Sequence, residues 1–278
     1  MIKKEKLFKI FQKNKQNKEN LYNYTPPSLT WKKKVDFIKA GHSKFWRIPW
    51  LLYVQNTLIK RFASLRIKNI EAVLDCPNDY PKIFIAQHNN WFDGMLGWYL
   101  CDEILKIKMN IMVEDLAKFP LLSQVGAFSV SKKSPKAIMK ALNYSVDFLK
   151  NKEAVLYMFP QGIINPPNHR PLNFTHGVSY IAQKLVKANI YLVAPKYTYL
   201  RLGVPEILMD ISDPIVLDEN KTFNSKEELT SFLEQEYIKL LDKQEEIISN
   251  GKIEEYEIYY KKHDGFSKRL EKWFKSRF

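Results

Sequence analysis

Residues 82–94, KIFIAQHNNWFDG, are the stretch that decides the fold. The run KIFIA, residues 82–86, is typical of a short strand that is buried on both faces of a sheet. His88 and Asp93 follow it, and residues 92–105 have the pattern of a helix. Ligands of open α/β sheets bind where strands end and loops begin. The stretch therefore predicts a strand, a turn that presents His88 and Asp93, and a helix.

The same alternation of strands and helices continues along the chain. Further strands are predicted at 110–114, 127–131, 154–159 and 190–199. Helices are predicted from Ser134-Pro135, an N-cap followed by a first-turn proline, to about residue 150, and over residues 174–188. This order indicates an α/β fold with a largely parallel central sheet flanked by helices.

The two ends of the chain are predicted to be helical and basic. Residues 29–68 and 225–278 have helical patterns. Within them, residues 44–61 and 266–278 combine large aromatic side chains with flanking lysine and arginine, which is typical of helices that lie in a membrane interface. A helix packed on the body of the protein is the alternative for both segments.

The charge balance indicates an anionic partner. The 278 residues include 44 Lys+Arg and 30 Asp+Glu, a formal net charge of +14. A nucleic acid, an acidic protein and an anionic membrane surface all fit that excess. The longest strongly apolar run is short of the roughly 20 residues that a spanning helix needs, so no membrane span is expected. Two cysteines, Cys76 and Cys101, cannot form a disulfide framework, which favours a reducing compartment.

His88 and Asp93 are candidates for an acid–base pair. An imidazole can take a proton from a nucleophilic hydroxyl, and a carboxylate on its other nitrogen fixes the tautomer and stabilises the cation. Their five-residue spacing suits a turn that leads into a helix. The sequence has no GxSxG elbow, Walker A loop, GxGxxG or HExxH motif, so the enzyme classes that depend on them lose support.

Three later blocks accompany the pair in a recognisable order. A segment from Gly126 to Lys132 comes first, Phe159-Pro160-Gln161-Gly162 closes the 154–159 strand, and Pro195 lies near the end of the last predicted strand. Together with His88 and Asp93, this set resembles the glycerolipid acyltransferase family, whose pattern is NHx4D, Gly-x5-Arg, FPEGTRS and a strand with a late proline. The resemblance covers roughly residues 60–215.

The resemblance implies roles for individual residues. His88 would be the catalytic base and Asp93 its orienting partner. The expected substrate-binding residues are Lys132, Phe159, Pro160, Gln161 and Gly162, and backbone N–H groups near Gly162 would stabilise the oxyanion. Lys132 stands where the family has arginine, Gln161 where it has glutamate, Ile164 where it has arginine and Gln87 where it has asparagine. These departures predict an altered acceptor site, although Lys132, Lys133 and Arg170 could still bind a phosphate.

The implied function is acyl transfer from acyl-CoA or acyl-ACP to a hydroxyl of a lysophospholipid or related lipid, with no metal and no cofactor. A glycolipid or other acceptor without phosphate, and hydrolysis of the thioester by a thioesterase, are the alternatives. A nucleic-acid partner would leave the ordered motifs unexplained. Trp91 and Phe92 are interpreted as core residues, with the lining of an acyl tunnel as the alternative, and His176 as a residue of a helix surface.

The resemblance also predicts the organisation and location of the protein. Residues 1–68 would form a membrane-associating segment, residues 69–220 the catalytic domain and residues 221–278 a C-terminal helical segment. The positive charge would hold the enzyme on an anionic leaflet and help it to dock an acidic acyl carrier protein. The expected location is therefore the cytoplasmic face of a membrane, with peripheral attachment.

Overall fold

The computed structural model describes residues 37–77, 79–132, 134–200, 203–220 and 222–261. The helices of this part are α1 (Lys44–Arg61), α2 (Glu71–Leu74), α3 (Asp93–Trp98), α4 (Pro135–Lys150), α5 (Gly177–Leu185) and α6 (Lys226–Ser249). Its strands are β1 (Ser64–Lys68), β2 (Lys82–Ala86), β3 (Met109–Glu114), β4 (Ala127–Val130), β5 (Val155–Met158), β6 (Ala188–Thr198), β7 (Glu206–Ile211), β8 (Ile215–Leu217) and β9 (Glu257–Lys261). A π-helical turn, Tyr99–Ile104, continues α3.

The strands form one mixed sheet in which parallel pairs predominate. Their order is β4-β3-β5-β2-β6-β7-β1-β9, and β8 pairs with β6. Strands β1/β7, β2/β5, β2/β6, β3/β4 and β3/β5 are parallel, whereas β6/β7, β6/β8 and β1/β9 are antiparallel. The predicted α/β class with a mostly parallel central sheet is confirmed.

Strand β2 lies inside this sheet and is buried on both faces. Ile83 and Ile85 belong to one hydrophobic cluster, with side chains of α4, α5 and α6, while Phe84 and Ala86 belong to the other, with side chains of α1 and α3. All four side chains are fully buried. Two-sided burial explains why this strand is a continuous apolar run.

Three serines mark where the longer helices begin. The Oγ atom of Ser43 accepts from Trp46 N (3.3 Å), that of Ser134 from Ala137 N (3.4 Å) and that of Ser225 from Glu228 N (3.0 Å). Each bond satisfies a first-turn N–H that has no partner within the helix. The helix start predicted at Ser134-Pro135 is confirmed.

The prediction of helix was wrong for residues 64–68 and 257–261, which are strands β1 and β9. In β1 the buried Leu65 and Ile67 alternate with Arg66 and Lys68, which is the two-residue period of a strand. Strand β1 pairs with β7 on one side and β9 on the other, so the sheet includes strands outside residues 69–220. The predictions for residues 1–36 and 262–278 fall outside the described residues.

Helix α1 packs one face on the sheet domain and exposes the other. Val54 and Leu58 are buried, and Trp50 contacts Trp98 edge-to-face with centroids 6.2 Å apart. The opposite face carries the exposed apolar side chains Phe45, Ile48, Leu52, Tyr53 and Ile59. The inner face thus packs on the body of the protein, and attachment of residues 44–61 to a membrane interface stays a prediction. In the described part of the chain, no helix has the length and apolar character needed to cross a bilayer.

Candidate active site

His88 and Asp93 meet in the turn between β2 and α3. The Nδ1 atom of His88 lies 3.0 Å from Oδ2 of Asp93. The aspartate side chain is fully buried, while the imidazole keeps 21% of its surface exposed. Because a carboxylate oxygen accepts, Nδ1 is the protonated nitrogen in the neutral form of the ring, and Nε2 then has the lone pair. The spacing in the sequence thus brings the two side chains into contact, as predicted.

The Asp93 carboxylate accepts four hydrogen bonds. Its Oδ2 atom accepts from His88 and from the backbone N–H groups of Asn89 and Asn90, both at 2.6 Å. Its Oδ1 atom accepts from the Tyr197 hydroxyl at 2.5 Å. A buried carboxylate is stable only when such partners replace water. All four partners are donors, so Asp93 acts purely as an acceptor.

The imidazole of His88 is held from its backbone and from one ring face. Its backbone N–H donates to Gln161 Oε1 (3.0 Å), and its carbonyl accepts from Asn165 N (2.8 Å). The ring stacks on Phe159, with centroids 4.2 Å apart and an interplanar angle of 11°. Three residues from the Phe159–Asn165 segment therefore contact His88, so two of the predicted blocks lie together.

The segment from Gly126 to Lys132 reaches the same loop. Lys132 Nζ donates to the carbonyl of Gly162 and forms an ion pair with Glu114 (2.9 Å). Gly162 has φ +68°, a left-handed conformation that favours glycine. Gly126 has φ +102°, and a Cβ there would lie 1.9 Å from Met109 O. Only glycine fits that position, which brings the start of β4 against β3.

Two buried amide atoms near His88 have no hydrogen-bond partner in the described part of the chain. They are Nε2 of Gln161 and Oδ1 of Asn89. Since Gln161 Oε1 already accepts from His88 N, the orientation of that amide is fixed and Nε2 is its remaining donor. An unsatisfied donor beside a candidate base is a group that a substrate oxygen could satisfy.

A tyrosine of the C-terminal helix α6 supports the site through hydrogen bonds to two backbone groups. The Tyr237 hydroxyl accepts from Gln87 N (2.7 Å) and donates to Val193 O (2.7 Å), so it links the end of β2 to the middle of β6. Gln87 Nε2 donates to Pro167 O (3.0 Å) and holds the loop after Gly162. Neither Tyr237 nor Tyr197 was predicted from the sequence, because each lies more than 100 residues from His88 and carries no motif.

The remaining singled-out residues have simpler surroundings. Phe92 is buried as predicted, whereas Trp91 is exposed, and Arg61 lies over both rings. His176 is exposed at the start of α5, and its Nδ1 lies 3.0 Å from Thr230 Oγ1. Pro195 lies within β6, opposite Met209 of β7. Lys133 lies outside the described residues.

The comparison with known families identifies the domain that holds this geometry. Residues 65–197 match the family model described as Acyltransferase. The chain therefore contains an acyltransferase domain over these residues. The match spans β1 to the Tyr197 position of β6 and includes each of the four blocks, so the acyltransferase family predicted from the motifs is confirmed.

One solved structure provides a comparison for this acyltransferase. The chain is similar to the crystal structure of the 1-acyl-sn-glycerophosphate (LPA) acyltransferase PlsC from Thermotoga maritima, with 18% identity and a TM-score of 0.49. The similarity covers 70% of this chain and 78% of that chain. No curated protein matches the chain significantly.

Proposed function

We propose that this acyltransferase moves a fatty acyl group from an acyl thioester to a hydroxyl of a lipid acceptor, with His88 as the general base. The observation that carries the proposal is the pairing of His88 with the buried, fully hydrogen-bonded Asp93 inside an acyltransferase domain. This arrangement leaves Nε2 free to accept a proton and keeps Nδ1–H on the carboxylate.

The reaction then needs no covalent enzyme intermediate. Nε2 takes the proton of the acceptor hydroxyl as its oxygen attacks the thioester carbonyl, and the imidazolium is stabilised by Asp93. The tetrahedral intermediate collapses when the carbon–sulfur bond breaks, and His88 returns the proton to the sulfur. The products are the acylated acceptor and the free thiol, which is CoA or the carrier protein according to the donor.

Backbone N–H groups after Gly162 are the proposed oxyanion donors. The N–H of Gly162 donates to Phe159 O (3.0 Å) and that of Asn165 to His88 O (2.8 Å), so both are in use. Ile163 and Ile164 lie between them on the same loop. Fixed N–H dipoles aimed at a developing negative charge stabilise a tetrahedral intermediate.

The proposed acceptor is a lysophospholipid or related lipid rather than a small polar molecule. Ile163 and Ile164 expose large apolar side chains within two residues of the Asn165–His88 contact. Gln161 Nε2 offers an unused donor for a hydroxyl or phosphate oxygen. Lys132 is half exposed but is already paired with Glu114, so its charge is partly neutralised before a phosphate arrives.

An assay of the purified protein tests this function. Acyl-CoA and acyl-ACP are the donors, and the acceptors are a panel of lysophospholipids, lysophosphatidate and monoacyl glycolipids. Acylated lipid should form in proportion to thiol release. Thiol release without acylated lipid would support thioester hydrolysis instead. Clear preference for lysophosphatidate would overturn the prediction of an altered acceptor site, and preference for a glycolipid would favour an acceptor without phosphate.

The proposed location is the surface of an anionic membrane, bound through the outer face of α1. Phe45, Ile48 and Leu52 lie on one stripe of the helix and are 73%, 61% and 61% exposed. Lys44, Lys60 and Arg61 flank them, and basic residues near an anionic surface each contribute about 1 kcal/mol. The chain before α1 pairs with residues 123–125, next to the exposed Phe119 and Leu121.

Serine at Phe45, Ile48 and Leu52 together should weaken binding to anionic vesicles about 100-fold, because each apolar side chain contributes about 1 kcal/mol or more in the interface. The matched control is L74S/V186S/I258S, which removes three exposed apolar side chains from other elements. Vesicle co-sedimentation at low and high salt measures the effect. Equal losses in both triple variants, or no vesicle binding by the unchanged protein, would contradict the proposal.

A further inference from the structure

Tyr197 reaches the candidate site from a neighbouring strand. Strand β2 ends at Ala86, which lies opposite Val193 of β6, but β6 continues to Thr198. The residues of β6 beyond Val193 include Tyr197, whose hydroxyl lies 2.5 Å from Asp93 Oδ1. The ring stacks on Phe62 (centroids 5.5 Å apart), and the backbone position pairs with Ile207 of β7. Tyr197 is therefore fixed by its ring and by its backbone.

The contact has a distinct place among the hydrogen bonds of Asp93. Oδ2 accepts from His88, Asn89 and Asn90, all within five residues of the carboxylate. Oδ1 accepts from Tyr197 alone among the described residues. Without that hydroxyl, one oxygen of a fully buried carboxylate would be left without a partner, and rotation of the carboxylate about its χ2 angle would be less restrained.

We infer that Tyr197 is a positioning residue for the reaction. Its hydroxyl holds Asp93 so that Oδ2 faces His88. The same hydrogen bond partly offsets the negative charge of the carboxylate beside the imidazole. The inference rests on the proposed function, since it assumes that His88 is the base. The Tyr197 hydroxyl bonds Asp93 and not the imidazole or the reacting atoms, so it acts through Asp93.

The hydroxyl of Tyr197 is suited to be a permanent donor. Burial, together with the adjacent charge of Asp93, raises the pKa of Tyr197 well above its usual value, so the group stays protonated. The other titratable groups that interact with Asp93 are Tyr157 of β5 and Tyr237 of α6. Arg61 of α1 lies over the neighbouring Phe92 ring, and Lys132 bonds Gly162 O and is paired with Glu114. Burial raises the pKa of Tyr157 and Tyr237 as well, so neither phenol gains or loses a proton near neutral pH.

Tyr197→Phe removes the hydroxyl and keeps the ring stacked on Phe62. Loss of a donor from the anionic pair raises its affinity for a proton, whichever of the two residues carries that proton. The acid limb of the pH–rate profile should therefore move to higher pH by about 0.5 to 1 unit, with a rate near neutral pH about 3- to 10-fold lower. A purely structural role would lower the rate at every pH and leave the limb in place.

The control variant is Tyr180→Phe, which loses a comparable hydroxyl bond, to Asn143 Oδ1 at 2.7 Å, away from the site. Its pH profile should match that of the unchanged protein. Should Tyr197→Phe fail to fold, 3-fluorotyrosine at position 197 is a stronger donor with almost the same shape, and it should move the limb to lower pH. An unmoved limb in the folded variants would overturn the inference.

His88→Ala, measured in the same assay, separates this inference from the proposed function. An inactive His88→Ala with an unmoved limb in Tyr197→Phe would refute only the role of Tyr197. A His88→Ala variant that keeps its rate would refute the base, and the role of Tyr197 with it. An inactive His88→Ala with the shifted limb supports both.

Discussion

His88→Ala should lower the rate of acyl transfer by about 10²- to 10⁴-fold, which is the usual contribution of a general base. Among the described residues, the side chain bonds Asp93 and stacks on Phe159. The bonds that hold the turn, to Gln161 and Asn165, use the backbone of residue 88 and survive the substitution. We therefore expect the variant to lose catalytic activity and to keep its fold.

The matched control for this variant is His176→Ala. His176 also bonds through Nδ1, to Thr230 Oγ1 at 3.0 Å, but it lies at the start of α5 and outside the candidate site. Initial rates and thermal unfolding midpoints of the two variants distinguish lost catalysis from lost stability. If His88→Ala retains more than about a tenth of the rate, or if His176→Ala loses as much, the assignment of the base is wrong.

The parts of the fold that depend on short-range patterns could be predicted from the sequence. Strand β2 was found because two-sided burial requires apolar residues at every position. Helix α4 was found because Ser134-Pro135 supplies a cap and a first-turn proline. In each case the signal lies within a few residues of the element that it specifies.

Strands β7 and β9 were not predicted because their sequences carry weaker strand signals. In β9, Glu257, Ile258 and Lys261 are exposed, and β1 is its one neighbour among the described strands, so few apolar residues are required. Strand β7 mixes Glu206 and Asp210 with apolar residues, and both acidic side chains are buried. Their burial depends on partners from elsewhere, Ser64 and Arg66 for the glutamate and Gln244 for the aspartate.

The same distinction applies to the site. His88 and Asp93 were predictable because their turn is local, and the four blocks were predictable from their order. Tyr197 is 104 residues from Asp93, to which it bonds, and Tyr237 is 150 residues from Gln87, to which it bonds. Contacts of that separation are decided by strand order and by the docking of α6 on the sheet. A single sequence carries no pattern from which that docking can be read.

Asp93→Asn should reduce acyl transfer by about 10²- to 10⁴-fold while leaving most of the local geometry in place. An amide has one acceptor oxygen, which must face the three donors His88, Asn89 and Asn90. Its NH₂ group then faces the Tyr197 hydroxyl, which can rotate and accept. The variant therefore retains its hydrogen bonds but loses the negative charge that stabilises the protonated imidazole during transfer.

The control for Asp93→Asn is Asp210→Asn, which neutralises another buried aspartate. Burial raises the pKa of Asp210, and its Oδ1 accepts from Gln244 Nε2 (2.8 Å), a residue of α6 that does not belong to the His88 turn. Asp210→Asn should keep near-normal acyl transfer, whereas Asp93→Asn should be nearly inactive with an unfolding free energy lowered by no more than about 2 kcal/mol. A larger stability loss in Asp93→Asn would mean that Asp93 mainly holds the turn together. Comparable activity losses in both variants would mean that burial of a neutralised aspartate, rather than the charge beside His88, explains the effect.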